Sequence, residues 1–330
     1  MHASPPRLIL AFAVLLAGCG EATGTPPTSA SASASGSASA SASAPATPTA
    51  SRSPDDPVSP SPRPAATLVA VGDIASCEFE FDTRTGNQLR KLDGTIAILG
   101  DSVYPAAGEQ HYQDCFEPTW GHLTRRIRPA AGNHDVGDDA IDVGDPDAYY
   151  RHFGPAAGTP GEGWYSYELG DWHVIVLNSN CNVMDCSTGS DQYQWLLEDL
   201  AGSDATCTLA YWHHPRFSSG LHGDHLAMAP YWQALEDADA DIVLAGHDHL
   251  YERFAPQDST GRASDDGMRS FVVGTGGAGL YAAERVAPNS KVLLDEVYGV
   301  LELTLHADSY EWRFITIDDI EADDGSGACR

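Results

Sequence analysis

The chain has 330 residues, 47 of them acidic and 18 basic, for a formal net charge of −29 with histidines neutral. So acidic a molecule repels nucleic acid and anionic membrane surfaces at long range, so nucleic acid is not an expected partner; solubility is the plainer reason for the charge. Three basic residues before Ala66 (Arg7, Arg52, Arg63) are matched by three acidic ones (Glu21, Asp55, Asp56), so the whole imbalance falls on residues 66–330, a length suited to one large domain.

At the N-terminus, Arg7 precedes an apolar run from Leu8 to Leu16 that is too short to span a bilayer and fits the core of a signal peptide. Leu16-Ala17-Gly18-Cys19 resembles the bacterial lipobox. That resemblance implies that residues 1–18 are a lipoprotein signal, that Cys19 is acylated, and that a lipid anchor there is the only membrane contact, on the outer face of a bacterial cell membrane. Residues 19–65 are rich in Ala, Ser, Thr and Pro, with a Ser-Ala repeat from Ser29 to Ala44. They have almost no apolar mass to bury and read as a disordered tether.

Six cysteines follow Cys19, and an even number in an exported chain points to disulfides. Six allow fifteen connectivities; Cys77–Cys115, Cys181–Cys186 and Cys207–Cys329 is the favoured set. No Cys-x-x-Cys supports a thiolate metal site.

Along the domain, apolar runs deliver ligand-type side chains five times. Leu68–Val71 leads through Gly72 to Asp73, Ile96–Leu99 through Gly100 to Asp101, and Arg128–Ala131 through Gly132 to Asn133 and His134. Leu209–Trp212 leads to His213, and Ile242–Ala245 leads through Gly246 to His247 and His249. Between them, a helical stretch is expected within Gln110–Arg126. Ser190 or Asp191 should cap a helix with Tyr193, Leu196, Leu197 and Leu200 on one face, and Met228, Tyr231, Trp232 and Leu235 repeat that spacing. Strands are expected at 173–177, 270–273 and 300–305, the last forming a hairpin with 310–315. Alternating β and α elements followed by late strands suggest α/β with two sheets. Sites in open α/β sheets form beyond the carboxyl ends of the strands, so the five segments predict one shared rim.

Aspartate, asparagine and histidine without thiolates suit hard or borderline ions. Two aspartates and several histidines exceed what one catalytic metal needs, so the economical reading is two ions sharing a bridging carboxylate. Such a centre makes hydroxide near neutral pH and clamps both oxygens of an in-line displacement, which fits phosphoester hydrolysis.

The ordered set Gly72-Asp73, Gly100-Asp101-x-x-Tyr104, Gly132-Asn133-His134-Asp135, His213-x-Pro215 and Gly246-His247-x-His249 resembles the calcineurin-type metallophosphoesterases. Tyr104 and the run Tyr251-Glu252-Arg253 resemble the purple acid phosphatase branch. The resemblance, from about Leu68 to Gly279, implies a four-layer α/β/β/α sandwich of two mixed sheets, with residues 66–330 as the catalytic domain. It implies a first metal on Asp73, Asp101, Tyr104 and His249, and a second on Asp101, Asn133, His213 and His247. Fe(III) with a divalent Fe, Zn or Mn is the expected pair. His134 and His222 would face the phosphoryl group and the leaving oxygen, with His214 and His225 close to His222 in sequence, and Asp135 would orient His134.

The family often has histidine where Ala75 stands, so Tyr104 must complete the first site. The Gly274–Gly279 run lacks the Lys-Ser or Lys-Thr of a P-loop and reads as a tight turn under the site. His111, His122, His152, His173 and His306 read as surface or satisfied core residues, and Tyr251, Glu252 and Arg253 as braces of the last ligand loop. The expected activity is hydrolysis of small phosphomonoesters by metal-bound hydroxide. The alternatives are a phosphodiesterase or nucleotidase with the same metals, and a non-catalytic phosphate- or metal-binding lipoprotein.

Overall fold

The computed structural model describes residues 64–137, 144–283 and 285–330. The expected signal, tether and Cys19 anchor lie outside the described residues. No helix among the described residues is long and apolar enough to cross a membrane.

Two mixed sheets carry the fold. The first runs Glu321–Ala328, Ser309–Thr316, Gly299–Leu305, Ala66–Val71, Thr95–Leu99 and Ile127–Ala130. Its last three strands are parallel, and the hairpin at its centre forms as expected, pairing Leu305 with Tyr310. The second runs Ser290–Leu294, Tyr251–Phe254, Arg269–Val273, Ile242–Ala245, Cys207–Tyr211, Trp172–Val176 and Tyr165–Leu169. The four strands from Arg269–Val273 to Trp172–Val176 are parallel.

Strand periodicity decides which face packs where. Val174, Val176, Leu209, Tyr211, Ile242 and Leu244 join the first sheet's Leu68, Ile96 and Leu301 in one buried cluster. The alternate residues Ile175, Leu177, Ala210, Trp212 and Val243 join a second cluster with helices Asp191–Gly202 and Ala229–Asp237. Helix Phe81–Leu89 and the segment 109–126 supply Leu89, Phe116 and Trp120 to the first cluster. The result is the expected four-layer arrangement. Burial of a large apolar side chain contributes ~1.5–3 kcal/mol, and Trp120, Trp172, Trp212 and Trp232 are all essentially fully buried.

Ser190 caps the first of these outer helices by accepting from the Tyr193 N–H. The helical stretch expected within Gln110–Arg126 forms as a succession of short α, π and 3-10 segments over 109–126. All three favoured disulfides form, Cys77–Cys115, Cys181–Cys186 and Cys207–Cys329.

Candidate metal centre

Apart from Tyr104, the predicted ligands follow the carboxyl ends of parallel strands, Asp73, Asp101 and Asn133 from three strands of the first sheet and His213, His247 and His249 from two strands of the second. The rim therefore sits where the two sheets meet. Asp73 (φ 61°), Asp101 (φ 50°) and His247 (φ 70°) all adopt the left-handed conformation. Non-glycine residues rarely do so, and the conformation concentrates at functional sites. Two of the preceding glycines are required by close approach. A Cβ on Gly132 would lie 2.1 Å from Asp101 Oδ1, and one on Gly100 would lie 2.3 Å from His213 Nδ1.

The donor atoms converge. Tyr104 Oη donates within 2.9 Å of Asp73 Oδ1 and 3.0 Å of Asp101 Oδ2, and lies 3.1 Å from His249 Nε2. His213 Nε2 is 2.9 Å from Asn133 Oδ1, 3.2 Å from Asp101 Oδ2 and 3.1 Å from His247 Nδ1. Asp101 Oδ2 thus touches both groups and occupies the shared position. The other oxygen of each aspartate is held by backbone, Asp101 Oδ1 by the His134 N–H and Asp73 Oδ2 by the His247 N–H. Carbonyls fix two rings: His213 Nδ1 meets Leu99 O and His249 Nδ1 meets Gly279 O, leaving both Nε2 atoms for the cluster.

These residues fit metal ions. Asp73 and Asp101 are buried, and neither has an Arg or Lys partner among the described residues. Buried carboxylates without a cation are strongly disfavoured. Spacings near 3 Å between donors are those of ligands that share an ion roughly 2.0–2.2 Å from each. Burial opposes ionisation of Asp101, yet His213, His134 and His247 outweigh it and hold its carboxyl below the usual range. Burial likewise opposes charge on His213, but Asp101 and Asp73 raise its imidazole to about 9. A metal ion on His213 Nε2 would require the neutral ring, so its binding would be coupled to loss of a proton. Burial, then Asp101 and Asp73, push the Tyr104 phenol well above its ordinary value.

His134 lies at the edge, its Nε2 3.9 Å from Asp101 Oδ2 and its Nδ1 on Pro105 O. His222 is exposed beside the cluster, its ring 4.3 Å from that of His247. His214, which shared that neighbourhood in sequence, is buried against His247 with Nδ1 on Ser179 Oγ, and His225 stacks behind it. Asp135, expected to orient His134, is buried between the turns that carry Asp101 and Asn133. Its carboxylate accepts from Ser102 N and Oγ, from Gly132 N and from Tyr112 Oη. It therefore ties the turn after Asp101 to the turn before Asn133.

Ala75 and Ser76 pair with Val103 and Tyr104 in a two-residue ladder, so the position without a histidine helps to hold the tyrosine. The Gly274–Gly279 run packs under the site as expected: the Gly276 N–H donates to Gly72 O and the Ala278 N–H to Asp73 O. Tyr251 and Arg253 bind Asp323, and Glu252 binds Ser219, so these residues brace neighbouring segments rather than the ligand loop. His173, between Glu168 and Asp199, is satisfied as expected.

The sequence reading missed Asp248. It is buried, and its carboxylate accepts from Ser218 Oγ and from the His222 N–H at 3.0 Å, pinning the loop that presents His222. Its place between two ligand histidines was the available signal.

Residues 66–251 match the calcineurin-like phosphoesterase family. Purple acid phosphatase 21 of Arabidopsis thaliana is 27% identical over 66% of this chain and 51% of its own length. Fe(3+)-Zn(2+) purple acid phosphatase 12 of the same plant is 27% identical over 57% of this chain and 43% of its own. The chain spans about half the length of the curated relatives it matches. The structure of purple acid phosphatase PPD1 from yellow lupin (Lupinus luteus) seeds superposes with a TM-score of 0.64 at 17% identity, covering 80% of this chain and 54% of that one, which shows a shared fold.

Proposed function

The chain belongs to the calcineurin-like phosphoesterase family, and from that premise we propose that it is a two-metal phosphatase acting on small phosphomonoesters. The observation that carries the reading is Asp101 Oδ2, within 3.0 Å of Tyr104 and 3.2 Å of His213 and so common to two donor sets. Asp73, Asp101, Tyr104 and His249 would hold one ion; Asp101, Asn133, His213 and His247 would hold the other. The curated Fe(3+)-Zn(2+) relative supports Fe(III) with a divalent partner. When bound, the ions supply Lewis-acid charge and make water a nucleophile near neutral pH.

The chain's own groups do the rest. Pro105 O accepts only, so it keeps a proton on His134 Nδ1, and Nε2, at the cluster's edge, would hold a phosphoryl oxygen when it too carries a proton. His222, exposed and positioned through Asp248, is placed to give a proton to the leaving oxygen, a role worth roughly 10²–10⁴-fold in rate. Asp101→Asn should lose both metals on elemental analysis and abolish turnover of a chromogenic monoester. His222→Ala should keep both metals and lose at least about 100-fold in kcat. An Asp101 variant with two metals and normal turnover would overturn the assignment. Faster hydrolysis of a diester than of a monoester would replace phosphomonoesterase with phosphodiesterase.

We also propose that residues 1–18 are removed and that acylated Cys19 anchors the protein outside the cell, with residues 19–65 as its tether. Three disulfides among the described residues support an oxidising compartment. Cys19→Ser should move the protein out of the membrane fraction; unchanged fractionation, with no lipid by mass spectrometry, would refute the anchor.

A further inference from the structure

A hollow of about 300 Å³ opens beside the donor cluster, floored by Tyr104, His134 and His249. It therefore shares its floor with the reacting centre. Its walls carry Phe79, Pro105, Ala278 and the Cys77–Cys115 disulfide, with Ser76, Glu78 and His111 among them. Phe79 is 43% exposed, a large aromatic left open to solvent beside a polar centre. Its ring stands over Gly279, where an added Cβ would lie 3.7 Å away, and Gly279 O is the acceptor that orients His249. The disulfide holds the Phe79 turn to the helical segment carrying Cys115, so the ring's station is fixed from both sides. No lysine or arginine among the described residues lines the hollow, and Glu78 is an exposed carboxylate in its lining.

We propose that this hollow seats the alcohol part of the substrate and selects a flat, uncharged, apolar group, so that aryl phosphomonoesters are preferred over esters of charged alcohols. The proposal rests on the phosphatase reading above. The volume is at the lower limit of ligand sites, ~300–1,000 Å³, which suits one ring system. The apolar part of these walls favours a ring that stacks on Phe79, since aromatic pairs gain beyond the area they bury. With no lysine or arginine among the described lining residues, and with His111 Nδ1 already held on Ala106 O, a second phosphate finds little to bind it, and Glu78 repels it.

The test compares, on the metal-loaded full chain, phenyl phosphate with a fluoroalkyl phosphate whose alcohol has the acidity of phenol. Matching acidity removes leaving-group chemistry from the comparison. Phenyl phosphate should show the higher kcat/KM. Phe79→Ala should lower kcat/KM for phenyl phosphate about tenfold, through KM, and leave the fluoroalkyl ester and inhibition by inorganic phosphate within about twofold. A carboxylate on the phenyl ring should lower kcat/KM several-fold, and Glu78→Gln should recover part of that loss. Equal losses on both esters, or none on either, would overturn the hollow's assignment while the phosphatase reading stands. A metal-loaded chain that hydrolyses no ester would overturn both.

Discussion

Tyr104 is the residue on which the character of the proposed first metal turns. A free phenol ionises near pH ~10, and burial with Asp101 and Asp73 beside it drives this one higher still. Only a strongly charged cation at Asp73 Oδ1 and Asp101 Oδ2, the atoms to which Tyr104 donates, reverses that balance. Trivalent iron has both the charge and a partly filled d-shell, so the loaded protein should be coloured by a phenolate-to-iron band. Zinc, with a full shell, gives none. Tyr104→Phe should abolish the colour, and chelation should bleach the native protein as the phenol regains its proton. A colourless, fully active protein holding only zinc or manganese would remove iron from the centre and leave the donor geometry untouched.

Among the elements, helix Pro146–Phe153 docks on the segment 109–120 through His152, stacked on Tyr112 at 4.1 Å with its Nε2 buried and unbonded. Burial lowers the His152 pKa from 6.5 to about 4. The unfolded chain therefore binds this proton between those values and the folded chain does not. The contribution to stability is complete above about pH 6.5 and is lost as pH falls toward about 4. Asp82 and Asp241, raised by burial to about 6, oppose it, since their folded forms hold protons down to the ordinary carboxylate range. His152→Phe keeps the stack and removes the titration, so its urea midpoint relative to the native chain should rise between pH 7 and pH 4.5; a constant difference would contradict this. His152 also shows where sequence reading is strong and where it is not. The five ligand strands were legible because each pairs a buried run with one polar residue, and the outer helices because Ser190 and the Met228–Leu235 spacing repeat known chemistry. The two-residue ladder at Ala75 and Tyr104 has too few residues for any period to show. Glu321–Ala328 contains Gly325 and Gly327, whose missing side chains are filled by Trp312 and Tyr310 from the neighbouring strand. A pattern borrowed from another strand is invisible within its own. Asp135's bond to Ser102 was hidden for a related reason, since the two become neighbours only when two loops meet.

At the scale of the whole molecule, the sheets meet at the rim, where both supply ligands, and are tied again elsewhere by Arg253 on Asp323 and by Cys207–Cys329. The centre is thus held within one framework, and what remains open to the medium is the approach of substrate. The charge of −29 falls wholly on residues 66–330, and a phosphomonoester is itself an anion. Arg285, which reaches the loop 218–224, is already paired there with Asp224 and Ser218 O. The long-range field therefore opposes entry, while the ions act only at close range. Screening lengths shrink from ~30 Å at 0.01 M salt to ~8 Å at 0.15 M, so added salt should weaken the opposing field before it touches the centre. Accordingly, kcat/KM for a monoester should rise over that range with kcat unchanged, and chloride and nitrate salts should agree if the effect is screening rather than anion binding. A fall in kcat/KM over the same range would mean that the field of the two ions, and not that of the acidic surface, governs the approach.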